Sequence, residues 1–434
     1  MPQSGPGRDG GGSPAGNTAP VNETMARAAG AQELVPGTLP RRVLVVLGSL
    51  TAVAPLVTDL YLPALPQLAR SLGSSAAMAQ LTMSVCLVGL ALGQLVAGPL
   101  SDRIGRTVPL RVGVAVLLLT SVLCALATDV TVLLVLRLVQ GLAGAAAMVI
   151  ARAVVRDVYD GSRAAVVFSQ LMLVTGLAPV VGPMLGGQLL AFTDWRGIFV
   201  ALAAIAAVLL AACWMLLPET RPAAARAAAP RRSRALRSLL ADRQLRAFLL
   251  MSALFGVVLF TYISMSAFVL QDDYGLGPVA YAWLFGANSV GLVLGSQLGA
   301  RLVGRVGAAT TLSCGVLLTA GATTVSAAAL VFSAPLAVLL PPLWLVLAGL
   351  GMSLGTSTGL ALSPHPAEAG AAAALLGASQ FLLGAAVPPL VSLAGASGPI
   401  MGLTMATAGV GLLGALHLAR RRTAQATAIG NPAH

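Results

Sequence analysis

Val88-Gly89-Leu90-Ala91-Leu92-Gly93 recurs 202 residues later as Val290-Gly291-Leu292-Val293-Leu294-Gly295, and the same ungapped offset aligns Arg103-Ile104-Gly105 with Arg305-Val306-Gly307. In both copies an apolar run leads into a short basic turn. Working outward from this pair, apolar runs lie near 43–63, 78–100, 109–127, 131–152, 165–192 and 197–217, and again near 247–270, 279–302, 309–331, 335–361, 371–394 and 399–419. Each is about the ~20 residues that a helix needs to cross a ~30 Å hydrocarbon layer. Barrel strands would be near ten residues with alternating polarity. The pattern predicts an all-α polytopic membrane protein with 12 transmembrane helices in two parallel six-helix halves.

Composition leads to the same class. Of 434 residues, 57% are hydrophobic and 9% charged, against about 25% charged in a soluble domain. The chain has too few polar residues for a water-facing shell, and too many apolar ones for disorder. The expected organisation is a disordered cytoplasmic tail over 1–42, an N-terminal bundle over 43–217 and a cytoplasmic linker over 218–246. A C-terminal bundle over 247–419 and a cytoplasmic tail over 420–434 follow.

All 26 basic residues are Arg. Without Lys there is no G-x-x-x-x-G-K-[ST] phosphate loop and no Schiff-base chemistry. The four cysteines are isolated and the three histidines scattered, so neither a disulfide framework nor a metal site is expected. The chain reads as a non-enzyme with no cofactor. Putting the N-terminus inside the cell leaves 23 of the arginines in the tails and inner loops, with only Arg70 and Arg196 outside and Arg137 within a span. This asymmetry orients both termini to the cytoplasm. It also accounts for the net charge of +12 without a nucleic-acid partner.

Few residues within the spans can carry chemistry. Asp59, in Pro55-Leu56-Val57-Thr58-Asp59-Leu60-Tyr61-Leu62-Pro63, is the one carboxylate inside an apolar run. A charged acid at the bilayer centre costs roughly 2.5–3.5 kcal/mol. Burial therefore favours the protonated form, which suits a reversible proton carrier. The plainer reading is a helix end near the outer interface. Arg137 keeps its proton, so it can bias a carboxylate but not carry protons; the plainer reading is snorkelling. Gln140 shares its helix face. Asp59, Tyr61, Arg137 and Gln140, with Tyr262, Asn288 and Gln380 in the second half, are candidates to line a substrate cavity, although hydrogen bonding within one helix would explain the second-half residues equally well. Gly98-Pro99-Leu100-Ser101-Asp102-Arg103-Ile104-Gly105-Arg106 reads as a gate latch on the inner face, with Asp102 pairing with an arginine from a neighbouring helix. Gly98, Asp102, Arg103, Gly105 and Arg106 are its key positions. Gly182, Pro183, Gly186 and Gly187 allow close helix approach and bending.

These segments resemble the major facilitator superfamily, and within it the Bcr/CflA group of bacterial drug-resistance exporters. The loop from Gly98 to Arg106 is similar to the superfamily's G-x-L-x-D-R-x-G-R motif. Leu136-Arg137-Leu138-Val139-Gln140-Gly141 is similar to the R-x-x-Q-G motif linked to proton coupling. Gly182-Pro183-Met184-Leu185-Gly186-Gly187 resembles the G-P-x-x-G-G motif of antiporters, and Asp59 to Pro66 the D-x-Y-L-P-x-x-P signature of 12-span drug exporters. Val269 to Leu276 and Leu284 to Asn288 look like the subgroup's span-seven and span-eight region. The resemblance implies the major facilitator fold and export of small amphipathic drugs or antibiotics in exchange for protons, with Asp59 and Arg137 in the coupling region. The partners so implied are a small-molecule substrate, protons and membrane lipid, for a monomer. One departure stands out: Gly304 occupies the second-half position of Asp102. The alternatives are a carrier or exporter of a sugar, amino acid or purine, and a non-transporting membrane receptor or scaffold.

Overall fold

A computed structural model describes residues 39–159, 161–220, 239–365 and 369–429. The expected disordered tail up to residue 38, most of the linker and the last five residues lie outside these. Twelve long helices follow one another among the described residues, with no strand. They are α1 (Arg41–Ser71), α2 (Ala76–Ile104), α3 (Thr107–Ala125), α4 (Val130–Val158), α5 (Gly161–Leu189), α6 (Trp195–Leu216), α7 (Arg243–Asp273), α8 (Pro278–Val306), α9 (Ala308–Val331), α10 (Leu336–Leu362), α11 (Ala369–Val391) and α12 (Gly398–Ile429). Eleven have an apolar stretch long enough to cross a bilayer; in α5 the apolar stretch so identified among the described residues is the shorter Leu177–Leu189. In this order the termini of successive helices alternate between two ends of the bundle. One end collects most of the arginines and is here called the Arg-rich end.

Local chemistry sets the helix limits. Asp129, Asp194 and Asp242 each accept backbone N–H bonds at the starts of α4, α6 and α7, which satisfies donors that the first turn leaves open. Gly105 and Gly307 end α2 and α8 at φ 102° and 82°. Only glycine adopts this backbone readily, so the duplicated Arg-x-Gly turns have the same structural cause.

Several helices run beyond the apolar runs. α4 continues to Val158, so Arg152 and Arg156 stand on a helix rather than in the expected inner loop. α12 continues to Ile429, through much of the expected C-terminal tail. Apolarity marks the lipid-facing length, whereas backbone hydrogen bonding carries a helix on into polar surroundings.

The two halves repeat one packing scheme. α1 packs on α4, α5 and α6, and α7 on α10, α11 and α12. α3 packs on α4 and α6, as α9 does on α10 and α12. Glycine seams draw α2 against α4 and α8 against α10. A methyl group at Gly89 would fall on the Leu138 carbonyl and one at Gly141 on the Cys86 carbonyl; Gly295 and Gly351 meet the carbonyls of Ala348 and Leu292 in the same way. Between halves, α5 lies on α8 and α2 on α11.

Candidate functional site

α1 is not one continuous helix. Its regular part ends at Asp59, a 3-10 turn spans Leu62–Ala64, and a short helix resumes at Leu65–Ser71. Pro63 and Pro66 open the two later segments, where a missing N–H costs nothing. Asp59 therefore sits at a break in a spanning helix, and it is buried. The Thr58 hydroxyl lies 2.9 Å from Asp59 Oδ1, and 3.0 and 3.3 Å from the carbonyls of Pro55 and Ala54. It has one proton, so it donates to one of the three at a time.

Two of the quoted motifs meet at this break. A Cβ at Gly182 would stand 3.2 Å from Asp59 Cβ, and one at Gly186 would overlap the Leu60 carbonyl. Gly187 faces across the other seam, against Ala282 and the Pro278 carbonyl of α8. Gly182, Pro183, Gly186 and Gly187 thus bring the acid's helix to the joint between the halves.

Arg137 lies inside the N-terminal half and is fully buried. Its Nη1 donates to the Val57 carbonyl at 3.0 Å and to Gln140 Oε1 at 2.6 Å, and Gln140 donates to Ser121 at 2.8 Å. The guanidinium stacks 4.2 Å over the Tyr61 ring and 5.7 Å from that of Phe199. Among the described residues Nε and Nη2 have no hydrogen-bond partner. Among the described residues Arg137 makes no ion pair, so in this conformation Asp59 and Arg137 are neighbours along α1 rather than partners. Phe199 is a contributor that sequence reasoning missed; nothing in its apolar run distinguishes it.

In the second half, Asn288 donates to the Tyr262 hydroxyl at 3.0 Å, and Tyr262 stacks on Phe285 at 5.3 Å. The Gln380 backbone packs against Gly256. A cavity of about 850 Å³ lies between the halves and reaches the Arg-rich end. Its walls are Val88 to Asp102 of α2, Val149 to Arg156 of α4 and Phe168 of α5, faced by Leu249 of α7 and Ala373 to Leu382 of α11. None of Asp59, Tyr61, Arg137, Gln140, Tyr262, Asn288 and Gln380 lines it in this conformation; the first six are buried elsewhere among the helices, and Gln380 is half-buried between Ser379 and Phe381 of the wall. The opposite end is closed across the halves. Arg70 pairs with Asp272 at 3.0 Å, Gln271 donates to the Pro63 carbonyl, and Ser392 donates to Gln80.

The loop from Gly98 to Arg106 differs in detail from the expected latch. Arg106 is buried and pairs with Asp102, four residues before it, at 2.8 Å. Asp157 at the end of α4 holds the same guanidinium with two bonds, at 2.7 and 3.1 Å. Glu219, beyond α6, accepts from the backbone N–H groups of Arg106 and Thr107, at 2.9 and 3.1 Å. Burial opposes the charge on Arg106, but the carboxylates of Asp157 and Asp102 outweigh it and hold its pKa above the ordinary value. Asp102 thus pairs with an arginine of its own loop, and the neighbouring helix supplies an acid instead. Asp157 and Glu219 were missed because they lie 51 and 113 residues away from Arg106. Arg103 and Gly105 complete the turn, and Gly98 packs near Val149.

Residues 47–389 match the family model described as Major Facilitator Superfamily. The MFS-type transporter YdgK of Bacillus subtilis is 36% identical over 384 residues, covering 87% of this chain and 96% of that protein. Multidrug resistance protein MdtL of Escherichia coli K12 is 31% identical over 335 residues, 76% of this chain and 83% of MdtL. The bicyclomycin resistance protein homolog of Haemophilus influenzae is 30% identical over 362 residues, 80% and 87% of the two chains. Among solved structures, an inward-facing, occupied bacterial homolog of the human lysosomal transporter Spinster superposes with a TM-score of 0.72 at 15% identity, covering 88% of this chain and 96% of its own. The nucleoside transporter NupG gives 0.72 at 12% identity, covering 86% and 99%. These two likenesses concern the fold alone. Matched along most of its length by the family model and by relatives of 30% identity or more, this chain belongs to the major facilitator superfamily and is a multi-pass membrane transporter, not an enzyme.

Proposed function

We propose that the protein is a proton-coupled antiporter that exports small amphipathic drugs or antibiotics across the bacterial inner membrane by alternating access, with its Arg-rich end and both termini in the cytoplasm. The observation that carries this reading is the position of Asp59. It is a buried carboxylate at a helix break, packed on the Gly182–Gly186 seam where α1, α5 and α8 meet. A proton arriving at Asp59 removes a charge at the joint along which the halves must move. It also frees the Thr58 hydroxyl to turn back to the Pro55 or Ala54 carbonyl. Arg137, with two nitrogens unpartnered, favours the charged form of Asp59 in any conformation that brings the two together. The cavity, open toward the Arg-rich end and sealed at the other, is then the state that loads substrate from inside. Names among the relatives, such as multidrug resistance protein and bicyclomycin resistance protein homolog, favour a drug over a metabolite as cargo.

Protons entering down a 100 mV potential supply about 2.3 kcal/mol each, enough for a neutral cargo to be concentrated more than tenfold. The test uses everted vesicles from a sensitive host expressing the chain, energised by respiration and given bicyclomycin or other antibiotics. Addition of a transported drug releases protons from the lumen and drives drug uptake. Asp59→Asn abolishes both. Uphill uptake undiminished in that variant removes Asp59 from the mechanism.

A further inference from the structure

Two arginines of the cavity wall, Arg152 and Arg156, form no ion pair among the described residues; Arg156 is exposed, whereas Arg152 is half-buried. Arg152 stands on α4 six residues before Val158, about 9 Å inside the helix end at 1.5 Å per residue. It lines the cavity between the halves, and its buried Nε has no hydrogen-bond partner among the described residues. No ion pair to Arg152 is formed among the described residues. Its neighbour in the same wall, Arg106, shows what a settled guanidinium looks like here, with Asp102 and Asp157 both bonded to it. Burying a charge without a counter-charge is costly. A snorkelling arginine avoids that cost by running along the lipid-facing side of its helix to the interface, whereas Arg152 borders an internal space.

We infer that this cavity takes amphipathic molecules carrying a carboxylate or other oxyanion, and that Arg152 recognises the negative charge. The inference deepens the transport reading and rests on it for the cavity's role. A guanidinium presents a planar fork of donors that matches an oxyanion in two places at once. The rest of the wall suits the other end of such a molecule, with Leu95, Phe168, Leu249 and Phe381 for an apolar body and Gln94 and Ser379 for hydrogen bonds. About 850 Å³ falls within the range of drug-sized sites. The carboxylates near the cavity are committed to Arg106, so the empty half of an ion pair is left to the ligand.

The test compares two fluorescent probes with the same ring system, dansic acid (anionic) and dansylamide (neutral). They are titrated against the full chain in phosphatidylcholine nanodiscs, with empty nanodiscs as background. Dansic acid binds at least about tenfold tighter, the worth of one charge-assisted bidentate contact. Arg152→Gln erases the difference while dansylamide affinity stays, and Arg152→Lys retains part of it. Equal affinity of the two probes for the unaltered chain overturns the inference, and this holds even if Arg152→Gln does not fold. A preference for the anion that survives in Arg152→Gln overturns it too. Loss of the preference when phosphatidylglycerol is mixed into the nanodiscs assigns Arg152 to a lipid headgroup and likewise overturns it. Proton-driven drug uptake in vesicles is measured separately. Uptake without anion preference sinks this inference alone; anion preference without uptake sinks the transport reading alone.

Discussion

The two halves share a backbone plan and differ in nearly every charged or polar group that matters. At the 202-residue offset, Asp59 corresponds to Thr261, Asp102 to Gly304 and Arg106 to Ala308. The glycines that fix the geometry persist, with Gly93 opposite Leu142 and Gly295 opposite Ala348. Through those contacts Arg137 corresponds to the buried Leu343. α1 breaks at Asp59, while α7 stays regular until a π-helical turn at Val269–Asp273. Packing was thus kept in both copies, and ionisable chemistry was concentrated in the first. The second half is the mostly neutral counterpart of the first.

That comparison is open to direct attack. The largest effect expected is functional: Asp59→Asn abolishes gradient-driven uptake in everted vesicles, while Thr261→Val at the corresponding place leaves it near that of the unaltered chain. Equal losses would mean that the halves share the coupling. Removing the carboxylate that grips Arg106 comes next. Asp157→Asn leaves a buried guanidinium with a poorer partner and lowers the stability of the purified protein by about 3 kcal/mol, read from denaturant titration in detergent. Gly186→Ala drives a methyl group into the Leu60 carbonyl, at a cost of about 1–3 kcal/mol and with loss of transport. Gly377→Ala, with nothing within 4 Å of the new atom, stays within about 0.5 kcal/mol.

Smaller than the Asp157 and Gly186 effects is that of the exposed pair at the closed end. Arg70→Asp costs up to about 1 kcal/mol of the closed conformation and raises the reactivity of a cysteine placed in the cavity toward reagents from that side. Adding Asp272→Arg restores closure. The smallest effect concerns Asp242. Burial pushes its pKa up, but the Gln244 backbone N–H and the His365 ring outweigh that and hold it below the usual carboxylate value. A depressed pKa stabilises the fold above the unfolded value of about 3.9 and is lost as pH falls through the lower folded value. Melting curves of the protein and its Asp242→Asn variant therefore differ at pH 6 and converge near pH 3.

Much of this was legible in the sequence because lipid simplifies the code. A bilayer demands long apolar helices, so the spans and their repetition could be read directly, and the Gly105 and Gly307 turns announced themselves as a repeated motif. The motif glycines were legible as packing residues, but not that Gly186 fits the carbonyl beside the acid. What hydropathy cannot encode is the partner of a given side chain. Asp157 looked like one more loop acid, yet it clamps Arg106. Arg152 looked like an inner-loop charge because the apolar run stops there, whereas the helix goes on and carries it into the cavity wall. Tyr61 was expected at the cavity and instead forms the floor under Arg137, since an aromatic face is the cheapest neighbour for a buried cation.

Arg70 and Asp272 stand at the same register in the two repeats, 202 residues apart, and touch. In a dimer of identical units, or in a freshly duplicated gene, that site would set arginine against arginine or aspartate against aspartate and push the rim apart. A fastener at this point became possible only once the copies ceased to be twins, so the lock on the shut face is a product of divergence and not an inheritance of symmetry.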